Sequence, residues 1–94
     1  FLEKLDLARE IADIPFVINS GFRTVSHNKT LKNSKPNSSH LRGLAVDIKC
    51  TNSRSRYIIV TALLEAGFSR IGVGATFIHV DDDQEKSQDV IWTY

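Results

Sequence analysis

The sequence predicts an α+β fold, a single domain over residues 1–94 with two main helices and a small, mostly antiparallel sheet. Three observations predict it. Apolar residues recur at the helical period near the start of the chain and again after residue 52. Strict alternation of apolar and other residues marks 43–49 and 76–81. The second helical stretch is followed only by short strand-like runs, which leaves few of the crossovers that a parallel sheet requires. A chain of 94 residues builds one modest core and not two.

Taken in order, Leu2, Leu5, Leu7, Ala8, Ile11, Ala12 and Ile14 follow a period of about 3.6 residues and predict an amphipathic helix over 1–14, stopped by Pro15. Phe16-Val17-Ile18-Asn19-Ser20, ended by Gly21, predicts a strand. From Arg23 to His40 the chain is rich in Ser, Asn and Lys, a loop of roughly 17 residues, longer than compact domains keep without a purpose. In 43–49, Leu44, Val46 and Ile48 fall on a core face and Gly43, Ala45, Asp47 and Lys49 on the other. Asn52 and Ser53 are cap candidates for a second helix, with Tyr57, Ile58, Val60, Ala62, Leu63 and Leu64 read as its buried side and Gly67 as its left-handed terminator. Three short strands complete the domain, over 69–74, 76–81 and 90–94.

Composition narrows the function. The net charge is +1 with Lys and Arg scattered, which lacks the basic footprint of a nucleic-acid binder. No apolar run approaches the roughly 20 residues of a membrane span. The chain begins at Phe1 and carries no recognisable targeting signal. A single cysteine, Cys50, excludes an internal disulfide framework and a cysteine-based zinc ribbon, so zinc here must be held by His and carboxylate.

Such a set exists. In Ser38-Ser39-His40-Leu41-Arg42-Gly43-Leu44-Ala45-Val46-Asp47, the aspartate shares a shallow strand face with Gly43 and Ala45. In Thr76-Phe77-Ile78-His79-Val80-Asp81, Ile78 and Val80 belong to the core, and Phe77, His79 and Asp81 to the opposite face. If the two strands are neighbours, Asp47 and His79 converge, since facing residues stand about 5 Å apart at Cβ. His40, arriving from the loop, can complete a trio. Two histidines and a carboxylate with one position left for water form the ligand set of a catalytic zinc site, where the metal is a Lewis acid that lowers the pKa of its water toward ~7. Either motif alone reads more simply as a surface or hydrogen-bonded turn residue; the pair together favours the metal.

The pattern Ser38-x-His40-x-x-Gly43-x-Ala45-x-Asp47, followed by His79 within His-x-Asp, resembles the zinc D-Ala-D-Ala carboxypeptidase and murein endopeptidase family, which has the hedgehog/DD-peptidase fold. Ser20-Gly21-Phe22-Arg23 is similar to that family's Ser-Gly-Tyr-Arg segment, with Asn28 a few residues on, and the match runs in order from Ile18 to Asp81. The resemblance implies His40, Asp47 and His79 as zinc ligands. It implies Arg23 as the residue that grips a substrate carbonyl or carboxylate, a role suited to a guanidinium fork; outside the motif Arg23 would read as a solvated strand-end arginine. Ser38 braces the loop or touches substrate backbone. Asp81 either orients an imidazole or is solvated, the reading taken for Asp82 and Asp83.

One position departs from the family pattern. The general base, Asp or Glu, belongs three residues before the last histidine, where this chain has Thr76. A threonine hydroxyl cannot accept a proton at neutral pH as a carboxylate can. Three readings stay open. The base comes from elsewhere, with Asp81, Glu65 or His27 available, although His27 alone reads as a loop histidine. Or Thr76 acts as a hydrogen-bond relay at reduced rate, among the substrate-contacting residues with Arg23 and Ser38. Or the domain binds zinc and a peptidoglycan stem without cutting it. The expected function is zinc-dependent hydrolysis of a peptide bond in peptidoglycan stem peptides or cross-links. Its rivals are a non-catalytic zinc-containing binding domain and a metal-free structural domain. The expected partner is a peptidoglycan peptide, with no nucleic acid and no membrane span, and the expected state is a monomer acting at the bacterial cell wall, whether periplasmic, extracellular or phage-delivered. Cys50 reads as a small buried thiol. Trp92 and Tyr94 read as packing or edge cover, with the wall of a substrate groove as the alternative.

Overall fold

The computed structural model describes residues 1–20 and 45–94. The elements run α1 (Leu2–Ala12), β1 (Ile18–Ser20), β2 (Ala45–Lys49), α2 (Ser53–Glu65), β3 (Arg70–Val73), β4 (Phe77–Asp81) and β5 (Val90–Thr93). Among the described residues this is an α+β domain with two helices and one five-stranded sheet in the order β1-β2-β4-β3-β5. Neighbouring strands are antiparallel except β3 and β5, which are parallel. The sheet is thus mostly antiparallel, as expected, with this one parallel pair. After β4 the chain does not turn back as a hairpin; residues 82–89 carry it past β3, so β5 lands on the far edge running in the same direction as β3.

Local chemistry sets the helix ends. α1 stops at Ala12 because Asp13 takes a left-handed conformation, φ 56°, and returns its N–H to the Arg9 carbonyl at 3.1 Å. Pro15 disfavours helix at the residue before it, and the stop falls earlier than expected because aspartate tolerates the left-handed turn. α2 is capped by Asn52, whose side chain accepts the Ser55 N–H at 2.8 Å. It closes in a Schellman turn: Phe68 N–H reaches the Leu63 carbonyl, Gly67 N–H reaches that of Leu64, and Gly67 holds φ 103°.

The core lies between the helices and one face of the sheet. Ala8 of α1, Ile59 and Leu63 of α2, Val46, Ile48, Ile71, Ile78 and Val80 of the sheet, and Phe68 behind the Schellman turn pack together, with Cys50 buried among them as expected. The buried stripe of α2 is Ile59, Ala62 and Leu63, whereas Tyr57 is 72% exposed and Leu64 45%. This corrects the predicted face. Ile59, Ala62, Leu63 and Ala66 keep the i, i+3, i+4, i+7 phase, and Tyr57 lies opposite it. Among the described residues no helix is long and apolar enough to cross a membrane.

Candidate active site

The other face of the sheet is polar. Register places Asp47 opposite His79, His79 opposite Gly72 and Gly72 opposite Trp92, one row across β2, β4, β3 and β5. The next row is Ala45, Asp81, Arg70 and Val90. A bulge in β1 matches Ile18 to Ile48 but Ser20 to Asp47. The extra residue brings the end of β1 beside Asp47, as bulges near sites often re-aim a strand. The chain therefore leaves β1 beside Asp47 and re-enters β2 at Ala45, two residues before it.

His79 stands between two carboxylates. Its Nδ1 lies 2.9 Å from Asp47 Oδ1 and its Nε2 2.7 Å from Asp81 Oδ2. Burial opposes a charge on His79, but the hydrogen bonds and negative charges of Asp47 and Asp81 outweigh it, and the imidazole pKa is raised above its ordinary value. Asp81 is 1% exposed. Burial pushes its carboxyl up, yet hydrogen bonds from His79, Arg70 and the Asp83 amide hold it below the usual carboxylate range. Arg70 Nε donates to Asp81 Oδ1 at 2.6 Å, and the Asp83 N–H reaches the same oxygen at 3.2 Å.

Aromatic residues border the row. A Cβ on Gly72 would meet the rings of Trp92 and Tyr94 at 2.7 Å, so the missing side chain is what lets those rings lie over the sheet. Trp92 thereby stands with its ring centroid 5.6 Å from that of His79, and Arg70 Cζ lies 5.0 Å from the same indole. Tyr94 packs on Phe77, centroids 5.0 Å apart. Trp92 and Tyr94 do pack, but on the polar face, against site residues.

Of the residues singled out in the sequence, the structure brings together Asp47, His79 and Asp81. Arg23, Ser38 and His40, with His27, Asn28 and Gly43, lie outside the described residues. Thr76 sits exposed in the turn before β4, its carbonyl accepting the Cys50 N–H at 2.9 Å. Glu65 ends α2, which packs on the core side of the sheet, so it faces away from the polar row and cannot serve as a base there. Asp81 is committed on both oxygens, an environment suited to an orienting anion and not to a proton acceptor. The solvated reading of Asp82 and Asp83 is corrected. Asp83 is 1% exposed and its carboxylate accepts the Glu85 N–H at 3.1 Å, while Asp82 pairs with Lys4 at 3.1 Å. Asp83 builds the turn after β4 by taking up a nearby backbone amide, and Asp82 ties that turn to α1 through Lys4. Sequence reasoning missed Arg70. Its link to the site depends on β3 pairing with β4, which places it opposite Asp81.

The donors present fit zinc in kind. Asp47 oxygen and His79 Nδ1 face one another, and Asp81 occupies the other ring nitrogen, the arrangement that leaves one imidazole nitrogen for a metal. Among the described residues no group of three or more His, Cys, Asp or Glu is placed to hold a metal ion, since Asp81 lies behind the ring. No match is found among curated proteins. Residues 1–81 match the Peptidase M15 family. The chain belongs to that peptidase family, the one its motifs resembled.

Proposed function

We propose, from membership of this peptidase family, that the domain hydrolyses a peptide bond in peptidoglycan stem peptides or cross-links. In this reading it has the hedgehog/DD-peptidase fold and works as a monomer at the bacterial cell wall. The observation that carries the proposal is the Asp47–His79 pair, 2.9 Å apart in register on adjacent strands, with Asp81 on the far imidazole nitrogen. His40, Asp47 and His79 would hold zinc, which when bound supplies Lewis acidity. His79 must give up its Nδ1 proton to become a ligand, while its Nε2 proton stays on the Asp81 side. Arg23 grips a carboxylate or carbonyl of the peptide through its fork. Ser38 and Thr76 contact the peptide backbone. Both ends of the segment that carries Arg23, Ser38 and His40 join the sheet beside Asp47, which supports placing the substrate over this row.

A second reading, a non-catalytic zinc-containing domain that binds peptidoglycan or protein, is favoured by two observations. Thr76 stands where the family has its base, and Asp81 is already engaged by Arg70 and His79. Zinc content and muropeptide release from purified peptidoglycan, compared between wild type and His79→Ala, separate the two. Hydrolysis predicts stoichiometric zinc and release in wild type, both lost in the variant. Zinc without release supports the binding domain, and Thr76→Asp then tests whether a carboxylate restores cleavage. A wild type without zinc overturns both readings.

A further inference from the structure

We propose that Arg70 is a positioning residue of this site and that it ties the chain after residue 81 to His79. Arg70 is 9% exposed, a buried cation with no part in the reaction as derived above. Among the described residues its guanidinium makes three contacts. Nε holds Asp81 Oδ1, a terminal nitrogen donates to the Ser87 carbonyl, and the guanidinium carbon lies 5.0 Å from the Trp92 ring centroid. With Oδ1 held in this way, the other Asp81 oxygen is presented to His79 Nε2. The imidazole is then fixed at one nitrogen by Asp81 and bordered by Trp92, so that Nδ1 faces Asp47. Ser87 and Trp92 both lie beyond residue 81, where the family match ends. β5 and the segment before it therefore act on the site through Arg70. Lysine cannot reproduce this, because one ammonium has neither the fork nor the plane to meet a carboxylate, a carbonyl and an indole together.

The inference rests on the proposed function only in taking His79 as a ligand, and its test does not depend on cleavage. In full-length, metal-free protein, the His79 ring nitrogens and the exchange rate of the Nε2 proton are read by NMR for wild type, Arg70→Lys and Arg70→Gln. Zinc affinity is read by competition with a chromophoric chelator, and near-UV circular dichroism checks the fold. The expected result is folded variants whose Nε2 proton exchanges faster and whose zinc affinity falls by about 10–100-fold, the size of effect seen when a ligand's orienting partner is lost. Folded variants with wild-type His79 signals and zinc affinity overturn the inference. Should neither variant fold, the Arg70 Nε proton is read by NMR in wild type, where slow exchange supports the tie through Asp81 and exchange at the rate of a solvated guanidinium overturns it. A wild type that binds no zinc overturns the proposed function instead, and the His79 proton alone then decides the role of Arg70.

Discussion

Strand β4 belongs to two regions that are equally dry and are held together by different physics. Toward the helices it buries Ile78 and Val80, both 0% exposed. Toward the polar face it buries His79 and Asp81, 8% and 1% exposed. On the first side the attraction is non-directional and spread over many contacts, so each side chain can be exchanged for another of similar volume at modest cost. On the second side every buried atom needs a specific partner, and Asp47, His79, Asp81 and Arg70 supply each other's in sequence. Burial alone does not separate a core from a site. What separates them is whether the buried atoms need partners.

The largest expected effect lies on the polar face. Asp81→Ala leaves the buried Arg70 cation without its carboxylate, and removing one member of a buried pair costs about 3–5 kcal/mol. Urea denaturation should show this loss, and the double variant Asp81→Ala with Arg70→Met should recover part of it, because the stranded charge is gone. No recovery would mean that the pair is not the source of the loss. Ile78→Ala, one pleat away on the core face, should cost about 2–5 kcal/mol from lost contacts and the cavity left behind. Its folded fraction should keep the His79 ring signals of wild type. A shift of those signals would show that the two faces are not separable.

The same contrast explains what could be read from the sequence. Alternation in 43–49 and 76–81 reports the face of every residue, and this is why Asp47 and His79 were expected to converge, as their register now shows. Asn52 and Gly67 carried the ends of α2 because caps are local chemistry. Partners across the sheet are not local. Arg70 reaches Asp81 only because β3 pairs with β4, and it reaches Trp92 only because β5 crosses to run parallel with β3. No pattern within 69–74 encodes either neighbour. The phase of α2 was missed for a related reason. Tyr57 and Leu64 are apolar enough to suggest burial, but only the stripe through Ile59 and Leu63 meets the sheet. The family resemblance supplied what periodicity could not, a reason to group His40 and Arg23 with Asp47 and His79.

The smallest effect tests the border of the polar face. At Gly72 an added Cβ would stand 2.7 Å from both Trp92 and Tyr94, closer than side chains approach. The atoms in the way are ring atoms near the sheet edge, and Tyr94 is 69% exposed, so the rings can swing outward without moving the backbone. Gly72→Ala should therefore cost about 1–3 kcal/mol, the range of an overpacked site that can relax. Trp92 is the chain's single tryptophan, and its emission should shift to longer wavelength as the indole leaves Arg70 and His79 for water. A loss of stability exceeding that of Ile78→Ala would mean that the aromatic border is stiffer than the apolar core, reversing the contrast between the faces. An unchanged emission would mean that the indole does not lie across Gly72, and the route from β5 to His79 would then run through Ser87 and Arg70 alone.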